Sequence, residues 1–425
     1  MLHSIPTDTL GSLGEPMAQA VSACVHCGFC LAACPTYREL GQEMDTPRGR
    51  IVLMKEVLEG TLDFADAQPH IDRCLGCLAC EPACPSGVAY RDLISPFRAL
   101  AAEKVKRPLR KRLRRFLMSR TIPHPSRFRL AMRLGRFAKA FLPSGWSPML
   151  DLVPGRIPPA QDWTGLHPAR GERRARVALL AGCAQRVLDP DINTATIAVL
   201  AHQGVEVLVP AGQGCCGGLA WHTGDLDAAR AFARRNLDAF PADVDAVLTN
   251  AAGCGSAMHE YALILRGTPD EARAAAFAAR VIDVSAFLHD LGLRGPFPES
   301  PAAFREPPFR EPPFRIAYHD ACHLANAQGV RTEPRELLRS LPGLELLELA
   351  DAHLCCGSAG TYNLDEPTIA ASLGREKARQ IIETGAAVVA TGNIGCLTQL
   401  QAHLAALGSG VKIKHTMQVL WEWMR

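Results

Sequence analysis

Three absences frame this 425-residue chain. It has no run of about 18 apolar residues, which excludes a helix that crosses a bilayer. Its opening, MLHSIPTDTLGSLG, shows neither the basic flank nor the apolar stretch of a secretion signal, so a cytoplasmic, reducing compartment is expected. Acidic residues are missing between Glu103 and Asp151, where residues 104–139 instead carry 14 lysines and arginines. The net charge of +3 thus hides one strongly basic segment in a chain that is acidic on balance elsewhere. With 48% hydrophobic and 21% charged residues the chain reads as globular, and its length implies two or three domains.

Cysteine is what the chain has in excess, 16 in all. In a reducing compartment, clustered thiols signal metal or redox chemistry rather than disulfides. Residues 24–35, CVHCGFCLAACP, and 74–85, CLGCLACEPACP, share the spacing CxxCxxCxxxCP. Two residues between thiols let a tight turn aim neighbouring sulfurs at one iron–sulfur cube; the fourth is carried away, and in two-cluster ferredoxins it ligates the other cube. The pattern therefore predicts crossed [4Fe-4S] sites: Cys24, Cys27, Cys30 and Cys84 for the first, and Cys74, Cys77, Cys80 and Cys34 for the second. Structural zinc sites also use CxxC spacing, but they do not account for the third cysteine, the fourth and the proline, twice over. Gly28, Gly76 and Gly87 are expected to bring backbone N–H groups to sulfur, and Arg48 and Arg50 read as surface charges. Between the clusters, DTPRGRIVLMKEVLEG reads as a helix capped by Asp45 or Thr46, with Pro47 in its first turn and Ile51, Met54 and Leu58 on one face.

From about residue 174, short apolar runs alternate with helical patterns, which argues an α/β fold. Here the chain repeats itself. Cys183, the pair Cys215 and Cys216, and Cys254 correspond to Cys322, the pair Cys355 and Cys356, and Cys396, at offsets of 139, 140 and 142 residues. The strand-like runs RVALLAGC, DAVLTNAAGC, FRIAYHDAC and AAVVATGNIGC each end in a cysteine, which puts these sites at the carboxyl edge of a sheet, where ligands gather. Adjacent cysteines, as in CCGG at 215–218 and CCGS at 355–358, make strained disulfides. The four thiols of each half are better read as converging on one metal or further cluster, with the glycines removing bulk beside it. Buried inert thiols and a redox-active pair are the alternatives. His319, His323 and His353 flank the second set only; they are expected to hydrogen-bond to the site rather than ligate, with Asp320 orienting one of them.

The resulting order is an α+β multidomain chain: a mainly helical, two-cluster ferredoxin-like domain over 1–100, a basic helical segment and linker over 101–173, a first α/β CCG half over 174–300, an extended linker over 301–315 containing FREPPFREPPFR, and a second α/β CCG half over 316–425. In the basic segment, RFRLAMRLGRFAKAF has a helical period, with Phe128, Met132 and Phe137 on a broadly apolar side. Anionic lipid or an acidic partner face is the expected contact there, and nucleic acid is not.

Two CxxCxxCxxxCP clusters followed by two CCG halves resemble, across essentially the whole chain, the iron–sulfur subunit of glycolate oxidase. The phrases CVHCGFCLAACPTY, DTPRGRI, CLGCLACEPACPSGV, AGCAQ and TGNIGC are of that type. Similar architecture occurs in the iron–sulfur subunits of anaerobic glycerol-3-phosphate dehydrogenase and lactate-utilisation systems, and in heterodisulfide reductases. The resemblance implies an oxidoreductase subunit without catalytic residues of its own. It would take electrons from flavin-bearing partner subunits that oxidise glycolate or another 2-hydroxy acid, and pass them towards a quinone-type acceptor at the cytoplasmic face of the inner membrane. The chain has no dinucleotide fingerprint, since GQGCCGG is a poor phosphate loop, so the two-electron chemistry falls to the partner. Heterodisulfide-reductase-type halves often end in CxxC and use five thiols. Ala257 and Gln399 stand at that last position here, so a five-cysteine site is not expected in either half. A thiol or disulfide reductase of that type is the alternative activity.

Overall fold

The helix ends of the first hundred residues are set by what flanks the cysteines. In the computed structural model, which describes residues 3–139, 141, 153–299, 301 and 312–425, helix α1 (Gly14–Ser22) stops just before the first cysteine loop. Pro35, which has no N–H to leave unbonded, opens α2 (Pro35–Leu40) directly after Cys34. Thr46 accepts the Gly49 N–H at 2.8 Å and caps α3 (Pro47–Leu58), as the sequence leads one to expect. Helix α4 (Phe64–Asp72) leads into the second cysteine loop and α5 (Arg91–Lys104) leaves it. Ile51, Met54 and Leu58 are buried together with Leu93 and Phe97.

Two basic helices follow, α6 (Leu109–Thr121) and α7 (Pro125–Lys139). Phe128 and Phe137 do not share a side: nine residues are two and a half turns of about 3.6 residues each. Phe128 is accordingly buried and Phe137 is 69% exposed. Helix α6 is turned the opposite way from an ordinary surface helix. Arg114 and Arg115 point inward to Asp365, and Arg115 also to Asp72, while Leu109, Leu113, Phe116 and Leu117 face outward.

The remainder forms two sheets. The first contains β1 (Gly165–His167), β2 (Ala175–Leu179), β3 (Val205–Val209), β4 (Ala246–Thr249) and β5 (Val281–Asp283) in the order β1-β3-β2-β4-β5. The second contains β6 (Phe314–Tyr318), β7 (Leu344–Glu348), β8 (Val388–Thr391) and β9 (Lys412–His415) in the order β7-β6-β8-β9. Apart from β1, which runs antiparallel along the edge, both sheets are parallel and have the same strand order. The duplication seen in cysteine spacing is thus a duplication of topology. In each sheet the chain leaves the first strand towards one side and returns on the other, which opens a crevice at the carboxyl ends of the first and third strands.

The two units share a core in which Val177, Leu179 and Leu248 pack with Phe314, Ile316 and Trp423. Phe314 and Arg315 belong to β6 and not to the extended linker, because Phe314 is wholly buried with its ring centroid 5.9 Å from that of Trp423. Residues 304–311 of the FREPPFREPPFR repeat lie outside the described residues, as do residues 142–152 of the preceding linker. No helix among the described residues is long and apolar enough to cross a membrane.

Candidate metal centres

The two amino-terminal cysteine loops share an uncommon backbone. The residues on either side of the second cysteine are left-handed in both: His26 and Gly28 around Cys27, with φ of 57° and 87°, and Gly76 and Leu78 around Cys77, with φ of 65° and 57°. Each loop has one glycine, but at opposite places, so His26 and Leu78 each hold a conformation that costs a non-glycine residue roughly 1 kcal/mol or more. This form turns N–H groups towards sulfur. The Gly76 N–H lies 3.4 Å from Cys74 Sγ, and the His26 N–H donates to the Cys24 sulfur. Gly28 serves a different end from the one its sequence suggests, since the Arg48 guanidinium sits 2.9 Å from where its Cβ would be. The Gly87 N–H donates to the Cys84 carbonyl at 3.2 Å and not to sulfur.

Cys24, Cys27, Cys30 and Cys84 line one pocket, whose walls contain no carboxylate. Cys80 reaches the same pocket. Cys34 lies apart, in the electrostatic reach of Cys77 and Cys80. An all-sulfur donor set of this kind fits iron–sulfur cubes. The two groups differ in access. Cys27 is exposed, with Val25 67% and Phe29 68% exposed beside it, whereas Cys34 and Cys74 are buried. Cys77 adjoins Cys322 of the second sheet unit, and the Asn326 side chain donates to the Cys77 carbonyl at 3.1 Å.

Burial pushes the Cys30 thiol up to about 11 and raises Cys77 and Cys80 as well. Cys74 goes the other way. Burial opposes its ionisation, but the Arg50 and Arg98 guanidiniums and the Gly76 N–H outweigh it. Arg50 is not a surface charge. It is 1% exposed, reaches Cys34 Sγ at 3.9 Å and Thr36 Oγ1 at 3.0 Å, and pairs with the buried Asp45 at 3.3 Å. A signal for this was available: Arg50 precedes Met54 by one helical turn and so shares its buried face. Arg48, by contrast, is part-exposed and paired with Glu43 at 2.7 Å.

Each sheet unit gathers its four thiols at the crevice. Cys183 follows β2 and Cys254 sits on the helix after β4; Cys322 follows β6 and Cys396 sits on the helix after β8. Cys215 Sγ is 3.5 Å from Cys183 Sγ, and Cys322 Sγ is 3.8 Å from Cys355 Sγ. In both units the second member of the pair is the centre. Hydrogen bonds from Cys215 and Cys254 hold the Cys216 thiol low, and those from Cys355 and Cys396 do the same for Cys356. The N–H groups of Gly217 and Gly218 approach the two sulfurs of the first pair at 3.5 and 3.4 Å. The glycine after each pair is left-handed, φ 84° in both, and a Cβ would meet the following long helix, Ala229 O at 3.4 Å from Gly217 and Ala370 O at 2.6 Å from Gly357. The CCG glycine thus makes room for a helix more than for a metal.

The histidines of the second unit have different surroundings. His319 is wholly buried, and a ring nitrogen lies with Cys356 Sγ and Cys396 Sγ in a group whose members are all within 4.8 Å of one another. His323 turns instead to His222, ring centroids 5.2 Å apart, and His353 is exposed. Asp320 orients no histidine; both its oxygens accept from Arg335 at 2.8 Å. Lys377, not singled out by the sequence, is 2% exposed and lies in the field of Cys356 and Cys355.

A helical head with crossed cysteine loops, joined to a duplicated α/β body with thiols at each crevice, defines an iron–sulfur protein with two [4Fe-4S] clusters. Residues 20–88 match a 4Fe-4S dicluster domain, and residues 177–259 and 316–401 each match a cysteine-rich domain of CCG type. The chain is 38% identical over 407 residues to the glycolate oxidase iron–sulfur subunit of Escherichia coli (strain K12), covering 94% of this chain and 93% of that protein. It is 36% identical over 422 residues to the probable glycolate oxidase iron–sulfur subunit of Bacillus subtilis (strain 168), with coverage of 94% and 93%. Lactate utilization protein A of Oceanobacillus iheyensis is 30% identical over 247 residues, 58% of this chain and 96% of that protein. The chain belongs to the glycolate oxidase iron–sulfur subunit family.

Proposed function

We propose that this protein is the electron-transfer subunit of a flavin-dependent glycolate, or related 2-hydroxy-acid, dehydrogenase, with Cys24, Cys27, Cys30 and Cys84 holding one cluster and Cys74, Cys77, Cys80 and Cys34 the other. The observation that carries this reading is the presence of Cys84 in the pocket of Cys24, Cys27 and Cys30. The clusters supply one-electron relay. The protein's own residues give that relay a direction. Exposed Cys27, between Val25 and Phe29, marks the face for the flavin-bearing partner, while half-buried Cys77 beside Cys322 leads inward to the cysteine-rich units, whose thiols hold further metal. Arg50 and Arg98 lower the cost of negative charge at Cys74. Substituting Cys27→Ser or Cys77→Ser should abolish electron delivery to quinone in the complex while sparing glycolate-to-dye activity of the flavin subunits; full quinone activity in either variant would reject the relay. The likeness to Lactate utilization protein A supports lactate as a second substrate reading, over the 58% of the chain that it covers.

The acceptor is a membrane quinone, and α6 and α7 carry the contact with the cytoplasmic face of the inner membrane. Leu130, Leu134 and Phe137 form an exposed stripe on α7 like that on α6. Arg110, Arg112, Arg120, Arg127, Arg133 and Arg136 make no ion pair among the described residues. Apolar stripes flanked by unpaired cations suit an anionic lipid surface. The pair Phe116→Ala and Leu117→Ala should weaken sedimentation with anionic vesicles about tenfold or more; unchanged sedimentation would remove lipid from the reading.

A further inference from the structure

The two cysteine-rich units repeat one backbone but not one donor set. Three residues before the thiol that follows the first strand, the first unit has Leu180 and the second has His319. His319 is 0% exposed, and among the described residues the Cys356 thiol is the one polar group its ring meets. A buried imidazole whose other nitrogen is left without a partner is unfavourable, and native structures rarely retain one without a use. Its ring nitrogen lies within 4.8 Å of both Cys356 Sγ and Cys396 Sγ, a group that a single metal ion can bridge. The remaining sulfurs, Cys322 and Cys355, are 3.8 Å apart beside it. The second unit therefore offers five soft or borderline donors where the first offers four. Gln399, at the position where some related modules have a fifth thiol, plays no part, because its amide donates to the Ala370 carbonyl at 3.1 Å.

We propose that His319 is a metal ligand, forming with Cys356 and Cys396 the heart of a mixed nitrogen–sulfur centre of iron or zinc that the all-sulfur first unit does not have. The proposal rests on the reading that the cysteine-rich units hold metal. Both metals accept imidazole beside thiolate. A neutral imidazole in place of a thiolate leaves such a centre less negative and, for an iron–sulfur cluster, raises its potential.

The test uses full-length protein purified without oxygen. Cys356→Ser should remove metal from the second unit, with the iron of the two amino-terminal clusters retained as the sign of a folded chain. In protein labelled with 15N-histidine, an iron centre should give a directly bonded nitrogen coupling in pulsed spin resonance, and a zinc centre a one-nitrogen shell in X-ray absorption. Either signal should vanish in His319→Leu, which installs the residue of the first unit. His319→Cys is the second variant, and should lose nitrogen but keep metal if the position is a ligand. A nitrogen signal that survives both substitutions, or a metal centre without nitrogen in the unaltered protein, overturns the ligand assignment and leaves the metal reading standing. Full metal retention in Cys356→Ser overturns both.

Discussion

The first and second cysteine-rich units have the same strand order and the same central thiol, yet their buried surroundings have opposite character. In the first, Asn236 donates to the Cys215 carbonyl at 3.0 Å and to the Tyr261 hydroxyl at 2.8 Å, and Tyr261 donates to the Cys216 carbonyl at 2.9 Å. That network is neutral. In the second, the long helix packed against the left-handed glycine brings Lys377 to the place of Asn236; its Nζ donates to the Asp351 carbonyl at 2.7 Å. His319 replaces Leu180 there, and Ala402 stands where the first unit has the buried Glu260. Only for the second unit is a thiol adjoining Cys77 apparent. The comparison teaches that the duplicated backbone fixes where sulfur converges, while a handful of buried side chains sets how much positive charge meets it.

The largest expected effects come from removing the shared centre. Cys216→Ser and Cys356→Ser should each empty one unit and leave the other loaded, as read by metal analysis of the two variants side by side. If either substitution emptied both units, they would be one site and the comparison would fail. A smaller effect sharpens the electrostatic contrast. Lys377→Met should lower the reduction potential of the second centre by on the order of tens of millivolts, since a unit charge in a partly buried setting interacts with its neighbour by roughly 1 kcal/mol or more. Asn236→Leu, which removes no charge, should shift the first centre less. Redox titration followed by spin resonance measures both, and equal shifts would show that charge is not what distinguishes the units.

How much of this was legible beforehand depended on how local the cause is. CxxCxxCxxxCP is a local geometry, so the convergence of Cys24, Cys27 and Cys30 on one pocket and the Thr46 cap of α3 could be read from the sequence alone. The duplicated sheets were legible because offsets survive where side chains have changed. What was not legible depends on distant partners. Helical spacing puts Arg50 on the buried face of Met54, but its partners Asp45, Thr36 and Cys34 meet it only after folding. The inward turn of α6 is imposed by Asp72 and by Asp365, some 250 residues away. His319 could be seen as a neighbour of the thiols, but its complete burial against Cys356 could not.

A last contrast concerns Glu260, the buried carboxylate whose place in the second unit is taken by Ala402. It is 5% exposed; Oε2 accepts from Trp221 Nε1, and Oε1 has no hydrogen-bond partner. Burial raises its pKa to about 7, against the smaller opposing pull of Trp221 and Arg91. An unfolded glutamate titrates near 4.3, so between about pH 4.3 and 7 the folded chain holds more protons than the unfolded one. Stability from this group is therefore greatest below that window and declines as pH rises through it, reaching a plateau once the folded carboxyl has ionised. Glu260→Gln keeps an acceptor for Trp221 and removes the titration. The variant should gain on the order of 1–3 kcal/mol relative to the parent between pH 5 and pH 8, read from chemical denaturation of the holoprotein at the two values. A gain of the same size at both would mean that the carboxyl is ionised throughout, and that the first unit is less sealed from water than its burial indicates.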